Sequence, residues 1–440
     1  MIAITQRNRR CLEGAVLAAA MLAAPLTTAG ASAQASVKSA NQVTLTFWTH
    51  TDPPMVAVDT QVVKQFEKTH PNIKIQTSTI PNNVFFTKML SAMTTGSGPD
   101  VFDMNDDYIR GDYIPQRLLA PVDPQAMGYK SLAALERVYA PGTFAAGAGP
   151  NGAVYGIPLE VDAAAFAINT KLFKEAGLNP ANYPRTWKQV GTMGAQIAKK
   201  DHVQGFNFVY LNGWGLLQLE PLMLQTGGSV LNAAGTKVTI GKPATLRALQ
   251  IWNNLVNVYH AGNPHTATLN SSVPYYDFSV GKQAMTITWP WAMVQTAQEY
   301  PKIMKDVKVV PLPQVNPAHP VQFAYGYEWV VSAKAPSPVQ KAAWTFVGYL
   351  GKAYQQYIAK SGQVQPVKGW QNTAAGKSLP FASAFAKIYN EGPRFFPVGP
   401  NWTQISAIAQ TAISKVVLDN GSASAALKSA AGQIQPLLKS

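Results

Sequence analysis

Cysteine is almost absent from this sequence, since Cys11 is the only one among 440 residues. It lies within an N-terminal segment that we predict to be removed, so the mature chain would contain no cysteine. This excludes disulfide bonds and thiolate metal sites from the mature protein, which must hold together by packing. Charged residues are also scarce, at 13% of the chain, and the 22 acidic residues limit self-repulsion in acid surroundings.

Long apolar runs are absent beyond the N-terminal region. The single run, residues 14–26, follows an arginine-rich start and is shorter than the roughly 20 residues that span a bilayer. Small residues follow it in Ala31-Ser32-Ala33, which is typical of a secretory signal peptide, here residues 1–33. The mature chain is predicted to begin near Gln34. Because Cys11 precedes the apolar run, we expect no lipid anchor. The signal peptide predicts a periplasmic protein.

The mature chain, about 405 residues long, is basic and long enough for two or three domains. The formal net charge of +14 falls to +12 once the leader, with three arginines and one glutamate, is removed. Its lysines are spread along the sequence, and an exported protein meets little nucleic acid, so we exclude nucleic acid as a partner. The six histidines show no metal-ligand spacing, so no metal and no cofactor are predicted.

Hydrophobic periodicity predicts a βαβ unit at the start of the mature chain. Alternating apolar residues at 43–47 indicate a strand, spacings of three and four over 55–66 indicate a helix, and a second strand follows at 73–77. A helix at 85–93 and a strand at 101–104 come next. Such crossovers make the strands parallel and place the following loops on one edge of the sheet, where these folds bind ligands.

A second series of elements follows with its own boundaries. Thr186 and Gln189 form the pattern of a capping box, which opens a helix. Further strands are predicted at 155–158, where the strand ends in a turn, and at 163–169, 206–210, 237–240, 284–288 and 307–310. Further helices are predicted at 246–259, 337–350 and 405–416. The whole pattern indicates an α/β protein without a linker that would separate independent domains.

Several motifs occur in order along almost the whole mature chain. They are Val43-Thr-Leu-Thr-Phe-Trp48, Phe66-Glu-Lys-Thr-His-Pro-Asn-Ile-Lys-Ile75, Gly98-Pro-Asp-Val-Phe102, Tyr155-Gly-Ile-Pro158, Asn169-Thr-Lys-Leu-Phe-Lys-Glu-Ala-Gly-Leu178, Thr186-Trp187 and Phe278-Ser-Val-Gly-Lys-Gln-Ala-Met-Thr-Ile287. Together they resemble the family 1 extracellular solute-binding proteins of carbohydrate ABC importers, which include maltose-binding and glycerol-3-phosphate-binding proteins.

The resemblance implies the two-lobed type II fold of periplasmic binding proteins. Each lobe would be a mixed sheet flanked by helices, and hinge segments would join the lobes around a ligand cleft. We expect the N-terminal lobe to comprise residues 41–159 and 320–366, and the C-terminal lobe residues 160–319 and 367–440. The implied function is the capture of a sugar or polyol by a monomer and its delivery to the membrane permease, without catalysis.

A sugar site needs flat aromatic surfaces for C–H faces, together with carboxylate and amide acceptors for hydroxyl groups. Trp291 follows the strand predicted at 284–288 and matches the stacking aromatic of the family pattern Ala-Met-X-Ile-X-Gly-Pro-Trp. Trp289 stands where that pattern has glycine, which changes the local shape of the cleft. The alternative is that both tryptophans belong to the core.

Other candidates for ligand contact lie in loops and at the predicted lobe crossovers. They are Trp48, His50, Asn105, Asp107, Tyr108, Asp162, Trp214, Tyr327 and Trp402. The three at 105–108 resemble hydroxyl-binding positions of maltose-type receptors, or else they cap the next helix. Asp162 and its neighbour Glu160 are either ligand-binding acids or solvated hinge charges. Trp48 and Trp402 line either the cleft or the core, whereas Trp329 is predicted to be buried in a strand.

Two other functions stay open from the sequence. A receptor for glycerol 3-phosphate or a related phosphodiester is the first, and Arg394 would be its phosphate ligand. An exported glycoside hydrolase is the second, and its paired carboxylates would come from Asp106, Asp107 and Glu160. No Gly-x-Ser-x-Gly motif or phosphate-binding loop was found.

Overall fold

Residues 42–438 are described by a computed structural model, with short interruptions. The interruptions are residues 146, 150–151, 201–202, 208–212, 263–272 and 393, together with the side chains of residues 213, 214, 273 and 274. Contacts group Asn41–Ser440 into one unit. The predicted signal peptide and the mature N terminus near Gln34 lie outside the described residues.

The βαβ unit predicted at the start of the mature chain is present. Strand β1 (Val43–His50) pairs in parallel with β2 (Ile73–Ile80), and helix α1 (Pro53–Thr69) connects them. Asp52 caps α1 by accepting a backbone hydrogen bond, and two prolines preset the first helical turn. Because β3 (Val101–Asn105) is also parallel to β1, the carboxyl ends of three strands meet at one edge.

Two more strands complete the first sheet, whose order is β2-β1-β3-β9-β4. Strand β9 (Ala324–Val331) is antiparallel to both β3 and β4 (Gly156–Ala163). The turn predicted at Pro158 is wrong, because β4 continues through a bulge between Pro158 and Glu160. A bulge accommodates a proline, which lacks a backbone N–H for the ladder.

The second sheet has the order β6-β7-β5-β8. Its strands are β5 (Ala165–Asn169), β6 (Gln204–Phe206), β7 (Gln283–Thr288) and β8 (Val307–Pro311). Strands β6 and β7 are parallel, and β5 is antiparallel to β7 and β8. Strand β6 begins two residues before the strand predicted at 206–210, whose last three residues lie outside the described ones. The chain enters this sheet between β4 and β5 and leaves it between β8 and β9.

Helices flank both sheets, and the capping box predicted at Thr186 and Gln189 is confirmed in both directions. The remaining described helices are α2 (Phe85–Thr95), α3 (Asp106–Tyr108), α4 (Leu132–Glu136), α5 (Thr170–Glu175), α6 (Trp187–Ala198), α7 (Gly213–Thr226), α8 (Pro243–Asn257), α9 (Val273–Ser279), α10 (Pro290–Glu299), α11 (Ser337–Lys352), α12 (Tyr354–Ser361), α13 (Ala374–Ser378), α14 (Ala382–Asn390), α15 (Trp402–Leu418) and α16 (Ala423–Ile434). In the described part of the chain, no helix combines the length and apolarity needed to cross a membrane.

The strand predicted at 237–240 is wrong. Leu231 and Val238 form an isolated bridge there, not a ladder. Between them, Gly235 adopts a positive φ of 68°, which turns the chain sharply and which glycine tolerates without strain. Helix α8 then begins at Pro243, so the apolar residues of this segment have no room to extend into a strand.

Candidate functional site

The carboxyl end of β3 carries the first polar cluster predicted from the sequence. Asn105 ends the strand, and its side-chain oxygen accepts a hydrogen bond from the backbone N of Asp107 at 3.0 Å. The alternative that Asn105 caps the next helix is therefore confirmed. Helix α3 passes directly into a π-helical turn, Ile109–Tyr113, a geometry that is frequent at functional sites.

A narrow cavity lies beside this cluster, between two walls. The first wall consists of Phe86, Asn105, Asp107 and Tyr108, and the second wall consists of Leu216, Leu217 and Glu220 from α7 with Trp402 and Ser406 from α15. The cavity volume is about 20 Å³, enough for roughly one water molecule. The two walls must therefore separate before a sugar ring can lie between them.

Aromatic rings make up much of the cavity lining. Phe86 and Tyr108 are stacked, with centroids 3.9 Å apart and planes inclined by 5°. The Tyr108 hydroxyl is hydrogen-bonded to Ser406, which joins the two walls. Trp402 packs against Gly111 so closely that a Cβ at Gly111 would lie 2.2 Å from the Trp402 Cβ. A glycine is needed there because α15 approaches the first wall at backbone distance.

The carboxylates of the cavity are buried and strongly perturbed. Arg110 contacts Asp107 Oδ1 at 2.5 Å and Asp106 Oδ2 at 3.5 Å through its Nη2. Burial, together with the Asp106 carboxylate, nevertheless raises the pKa of Asp107 to about 8. Burial, Asp107 and Asp106 raise the pKa of Glu220 well above its ordinary value. The cavity therefore holds more carboxyl groups than its neighbouring cation can balance.

His50 and Tyr327 lie in a buried layer and do not contribute to either wall. His50 Nδ1 contacts the Asp103 carboxylate, and the His50 backbone N donates to Asp103 Oδ1 at 3.1 Å. The Tyr327 ring lies 4.7 Å from the imidazole, centroid to centroid. Burial lowers the pKa of His50, but the Asp103 carboxylate more than offsets this, so the pKa is raised overall. These contacts link β1, β3 and β9, and Tyr327 is the strand partner of Asn105.

Trp291 belongs to a second polar and aromatic group. It lies in the first turn of α10, is half-buried, and donates from Nε1 to the Tyr325 hydroxyl at 2.8 Å. Tyr325 in turn donates to Asp162 Oδ2 at 3.0 Å. Trp289 is only 1% exposed and donates to the Tyr275 hydroxyl at 3.0 Å, so it is a core residue.

Asp162 and Glu160 are not solvated hinge charges, so that alternative is wrong. Their exposed fractions are 0% and 3%, because the bulged strand β4 directs them into the protein. Burial raises the pKa of Asp162 to about 7, although the Tyr325 hydroxyl lowers it. Burial and the neighbouring Asp162 raise the pKa of Glu160 well above its ordinary value.

The structure thus brings together four of the ten predicted residues around one cavity: Asn105, Asp107, Tyr108 and Trp402. Trp48 is half-buried and packs against the core, and Trp329 is buried in β9 as predicted. The side chain of Trp214 lies outside the described residues. The roles of all ten predicted residues in ligand contact stay predictions.

Sequence reasoning missed five residues of the walls. They are Phe86, Leu216, Leu217, Glu220 and Ser406. Glu220 could have been found, since it is the single charged residue in the largely apolar segment Leu216-Leu-Gln-Leu-Glu-Pro-Leu-Met-Leu224. A carboxylate in a helix that is apolar all round is rarely buried without a functional or pairing reason. Among the described residues, no group of three or more His, Cys, Asp or Glu side chains could hold a metal ion.

Comparisons with known proteins give the same fold and name the family. A putative binding protein of Brucella abortus is 25% identical over 393 residues, covering 86% of this chain and 89% of the relative. The arabinooligosaccharide-binding protein of Bacillus subtilis is 22% identical over 357 residues, covering 75% and 78%. An ABC transporter solute-binding protein from Thermotoga lettingae, solved with α-D-tagatose, superposes with a TM-score of 0.79 at 21% identity, covering 90% and 100%. The family model for bacterial extracellular solute-binding proteins matches residues 52–357. The chain has the two-lobed type II fold and belongs to the bacterial extracellular solute-binding protein family.

Proposed function

We propose that this protein captures a sugar or polyol between its two lobes and delivers it, as a monomer, to the membrane permease of an ABC importer. The observation that carries the proposal is the cavity whose walls come from distant parts of the chain. The first wall follows the strands of the first sheet, and α7 of the second wall lies in the segment that contains the second sheet. A ligand held by both walls would favour the closed arrangement of the lobes.

The chemistry of the walls suits a polyhydroxylated ligand. Asp107, Glu220 and Asn105 offer carboxylate and amide groups to hydroxyls, and the rings of Tyr108 and Trp402 offer apolar faces to C–H groups. The tagatose and arabinooligosaccharide named for the two relatives are ligands of this kind. Similarity at this level of identity supports the class of ligand and leaves its identity to experiment.

The lobe boundaries predicted from the sequence are retained as part of the proposal. The chain passes from the first sheet to the second at 163–165 and returns between Pro311 and Ala324. These two passages support the lobe boundaries predicted at 159–160 and 319–320, and the third predicted boundary, at 366–367, is retained with them. Paired crossovers permit rotation of whole lobes while each sheet and its helices stay intact.

The charge of the cavity argues against glycerol 3-phosphate. A phosphate would face Asp107 and Glu220, whereas the neighbouring Arg110 is already bound to two carboxylates. Arg394, the phosphate ligand suggested by the sequence, is exposed and does not line this cavity. A hydrolase is equally poorly supported, because Arg110 engages both Asp106 and Asp107, two of the three acids such an enzyme would use.

A thermal-shift screen of the mature protein tests the proposal. Mono-, di- and trisaccharides, polyols and glycerol phosphates would be compared, because a ligand at 100 times its Kd stabilises the native state by about 2.7 kcal/mol. We expect a stabilising sugar or polyol that is recovered intact after incubation. Release of a smaller sugar would indicate a hydrolase, and stabilisation by glycerol 3-phosphate alone would replace the proposal by the phosphate receptor.

A further inference from the structure

The cavity contains more acidic groups than its nearest cation balances. Asp107 and Glu220 face it from opposite walls. Arg110, the cation beside them, is already occupied, because its Nη2 contacts Asp107 Oδ1 at 2.5 Å, Asp106 Oδ2 at 3.5 Å and the Phe396 carbonyl oxygen at 3.2 Å. Little of the Arg110 charge is therefore left for Glu220.

Glu220 retains unused hydrogen-bonding capacity at the cavity. Its exposed fraction is 2%, and its Oε2 is buried without a hydrogen-bond partner among the described residues. The titratable groups that act on it are Asp106, Asp107, Arg110 and Tyr108. A buried carboxylate oxygen without a partner costs free energy, so a ligand that supplies a donor at this point is favoured.

We propose that the ligand of this site carries a protonated amine, as amino sugars and amino polyols do, and that its ammonium group lies between Asp107 and Glu220. The inference rests on the proposed function, since it concerns the same site. A neutral sugar would donate hydroxyl hydrogen bonds to these oxygens but would supply no positive charge to stabilise their ionised forms. An ammonium group supplies both the donors and the charge, and charge-assisted hydrogen bonds are about twice as strong as neutral ones.

The aromatic part of the cavity fits the same ligand. Phe86, Tyr108 and Trp402 all line the space that the ammonium group would enter. Aromatic faces attract cations electrostatically and pack against the C–H face of a sugar ring. A cationic sugar therefore gains electrostatic attraction from both the acids and the rings of the walls, whereas a neutral one gains hydrogen bonds and ring contacts without it.

Binding of an ammonium group should change the protonation of the carboxyl groups that line the cavity. Burial and the neighbouring Asp107 and Asp106 carboxylates raise the pKa of Glu220, and burial with Asp106 raises the pKa of Asp107 to about 8, so both groups bind protons more readily than ordinary carboxyl groups when no ligand is bound. An entering ammonium group favours the ionised form of both carboxyl groups, so binding should release protons. A sugar without an amine places no cation beside Glu220 and should release fewer protons.

Titration calorimetry at pH 7, in two buffers with different ionisation enthalpies, measures affinity and proton release together. The probes are glucosamine, galactosamine and mannosamine, each matched with its N-acetylated form and with glucose, galactose or mannose. We expect at least one amino sugar to bind about tenfold or more tightly than both of its neutral counterparts. Binding of that amino sugar should release protons, and more of them than binding of either neutral counterpart.

Two variants test the assignment to Glu220. Glu220→Gln should abolish the preference for the amine and should reduce the proton release, since Asp107 alone then faces the ammonium group. Glu328→Gln is the matched control, because Glu328 is an equally buried acid near Arg110 that does not line the cavity, and this variant should keep both. If Glu220→Gln does not fold, proton release by the unmodified protein decides.

The possible failures are distinguishable. If neutral sugars bind as tightly as their amino counterparts, or if Glu220→Gln keeps the preference, the amine inference is overturned and the proposed function stands. If no sugar, amino sugar or polyol stabilises or binds the protein, both are overturned.

Discussion

The carboxylate of Asp112 accepts two hydrogen bonds from Thr403, from its backbone N at 2.9 Å and from its Oγ1 at 2.7 Å. The two residues are 291 positions apart and join the π-helical turn after β3 to the first turn of α15. Asn401, which precedes α15, provides no side-chain cap. Asp112 therefore caps this helix from a distant part of the chain, at the end where a negative charge is favoured.

Asp112→Ala should lower the free energy of unfolding by about 1–3 kcal/mol, because it leaves backbone and hydroxyl donors of α15 without an acceptor. Urea denaturation at pH 7 measures this. Asp112→Asn, which keeps one acceptor oxygen, should lose less. Asp419→Ala, at the exposed other end of the helix, is the control and should change stability by less than about 0.5 kcal/mol. Equal effects at Asp112 and Asp419 would contradict the capping role.

Stability should rise as the pH falls from 8 towards 5. Burial raises the pKa of Asp59 and Asp162 to about 7 and those of Asp107 and Glu328 to about 8. Unfolded, these acids titrate near pH 4. Over the interval between, the folded state binds more protons than the unfolded state, so the free energy of unfolding increases as protons are added and decreases as the pH rises through the folded pKa values.

Calorimetric melts at pH 5 and pH 8 check this, with a Tm higher by on the order of 5 °C expected at pH 5. Glu328→Gln removes one of the raised acids without removing its bulk, so its Tm should vary less with pH. A Tm that is constant, or lower at pH 5, would show that these carboxyl groups are ionised in the folded protein.

Elements specified by local contacts were predictable from the sequence. The capping box of Thr186 and Gln189 depends on hydrogen bonds within four residues, and helices with a regular apolar stripe, such as α8 and α15, appear close to their predicted positions. The prediction of a strand at 237–240 was wrong because the composition of this segment resembles a strand, whereas the turn at Gly235 prevents a ladder from forming.

Periodicity predicted the site only where it follows from the edge of a parallel sheet, whereas Trp402 of α15 was a candidate with the core as its alternative. Asn105 ends β3, and Asp107 and Tyr108 follow it, so their position depends on sheet topology, which the periodicity indicates. Phe86, Glu220 and Ser406 reach the same cavity through the packing of α2, α7 and α15, which are far apart in sequence. Sequence spacing carries no information on such contacts.

Trp291 remains the predicted stacking residue, and its alternative role as a core residue can be tested. Trp291→Ala should cost about 1.5–3 kcal/mol of binding to a sugar found by the thermal-shift screen, since a full aromatic face is lost. Trp291→Phe keeps a ring but loses the hydrogen bond to Tyr325, so a loss of about 1 kcal/mol is expected. Titration calorimetry beside a melt separates binding from stability. Unchanged affinity with a lowered Tm would assign Trp291 to the core. Trp329→Phe is the matched control for a core residue, and it should lower the Tm and leave the affinity unchanged.

The mass of the exported protein tests the predicted removal of the signal peptide. We expect the protein isolated from the periplasm to begin near Gln34, because Ala31-Ser32-Ala33 provides small residues at the positions before the cut. Intact-mass spectrometry should therefore show loss of residues 1–33 and no added lipid. A retained leader or an acylated N terminus would contradict the prediction.

Closure of the lobes is the mechanical part of the proposed function. In this structure the walls already touch through Tyr108 and Ser406, and the cavity between them holds little more than a water molecule. A ligand must therefore enter an open form, and closure requires contacts that exist only when both walls reach it.

Small-angle scattering of the mature protein should show a smaller radius of gyration with saturating ligand than without it. The bound ligand should contact at least one of Asn105, Asp107 or Tyr108 from the first wall and Trp291 from α10, with Glu220 or Trp402 as further contacts from the second wall. Asp107→Asn combined with Trp291→Ala should weaken binding by less than the sum of the single changes. Loss of the contacts from one lobe already weakens closure, so less of the contribution of the other lobe is left to lose. A ligand held by one lobe alone, or scattering that does not change at saturation, would exclude the clamp even if the protein binds sugar.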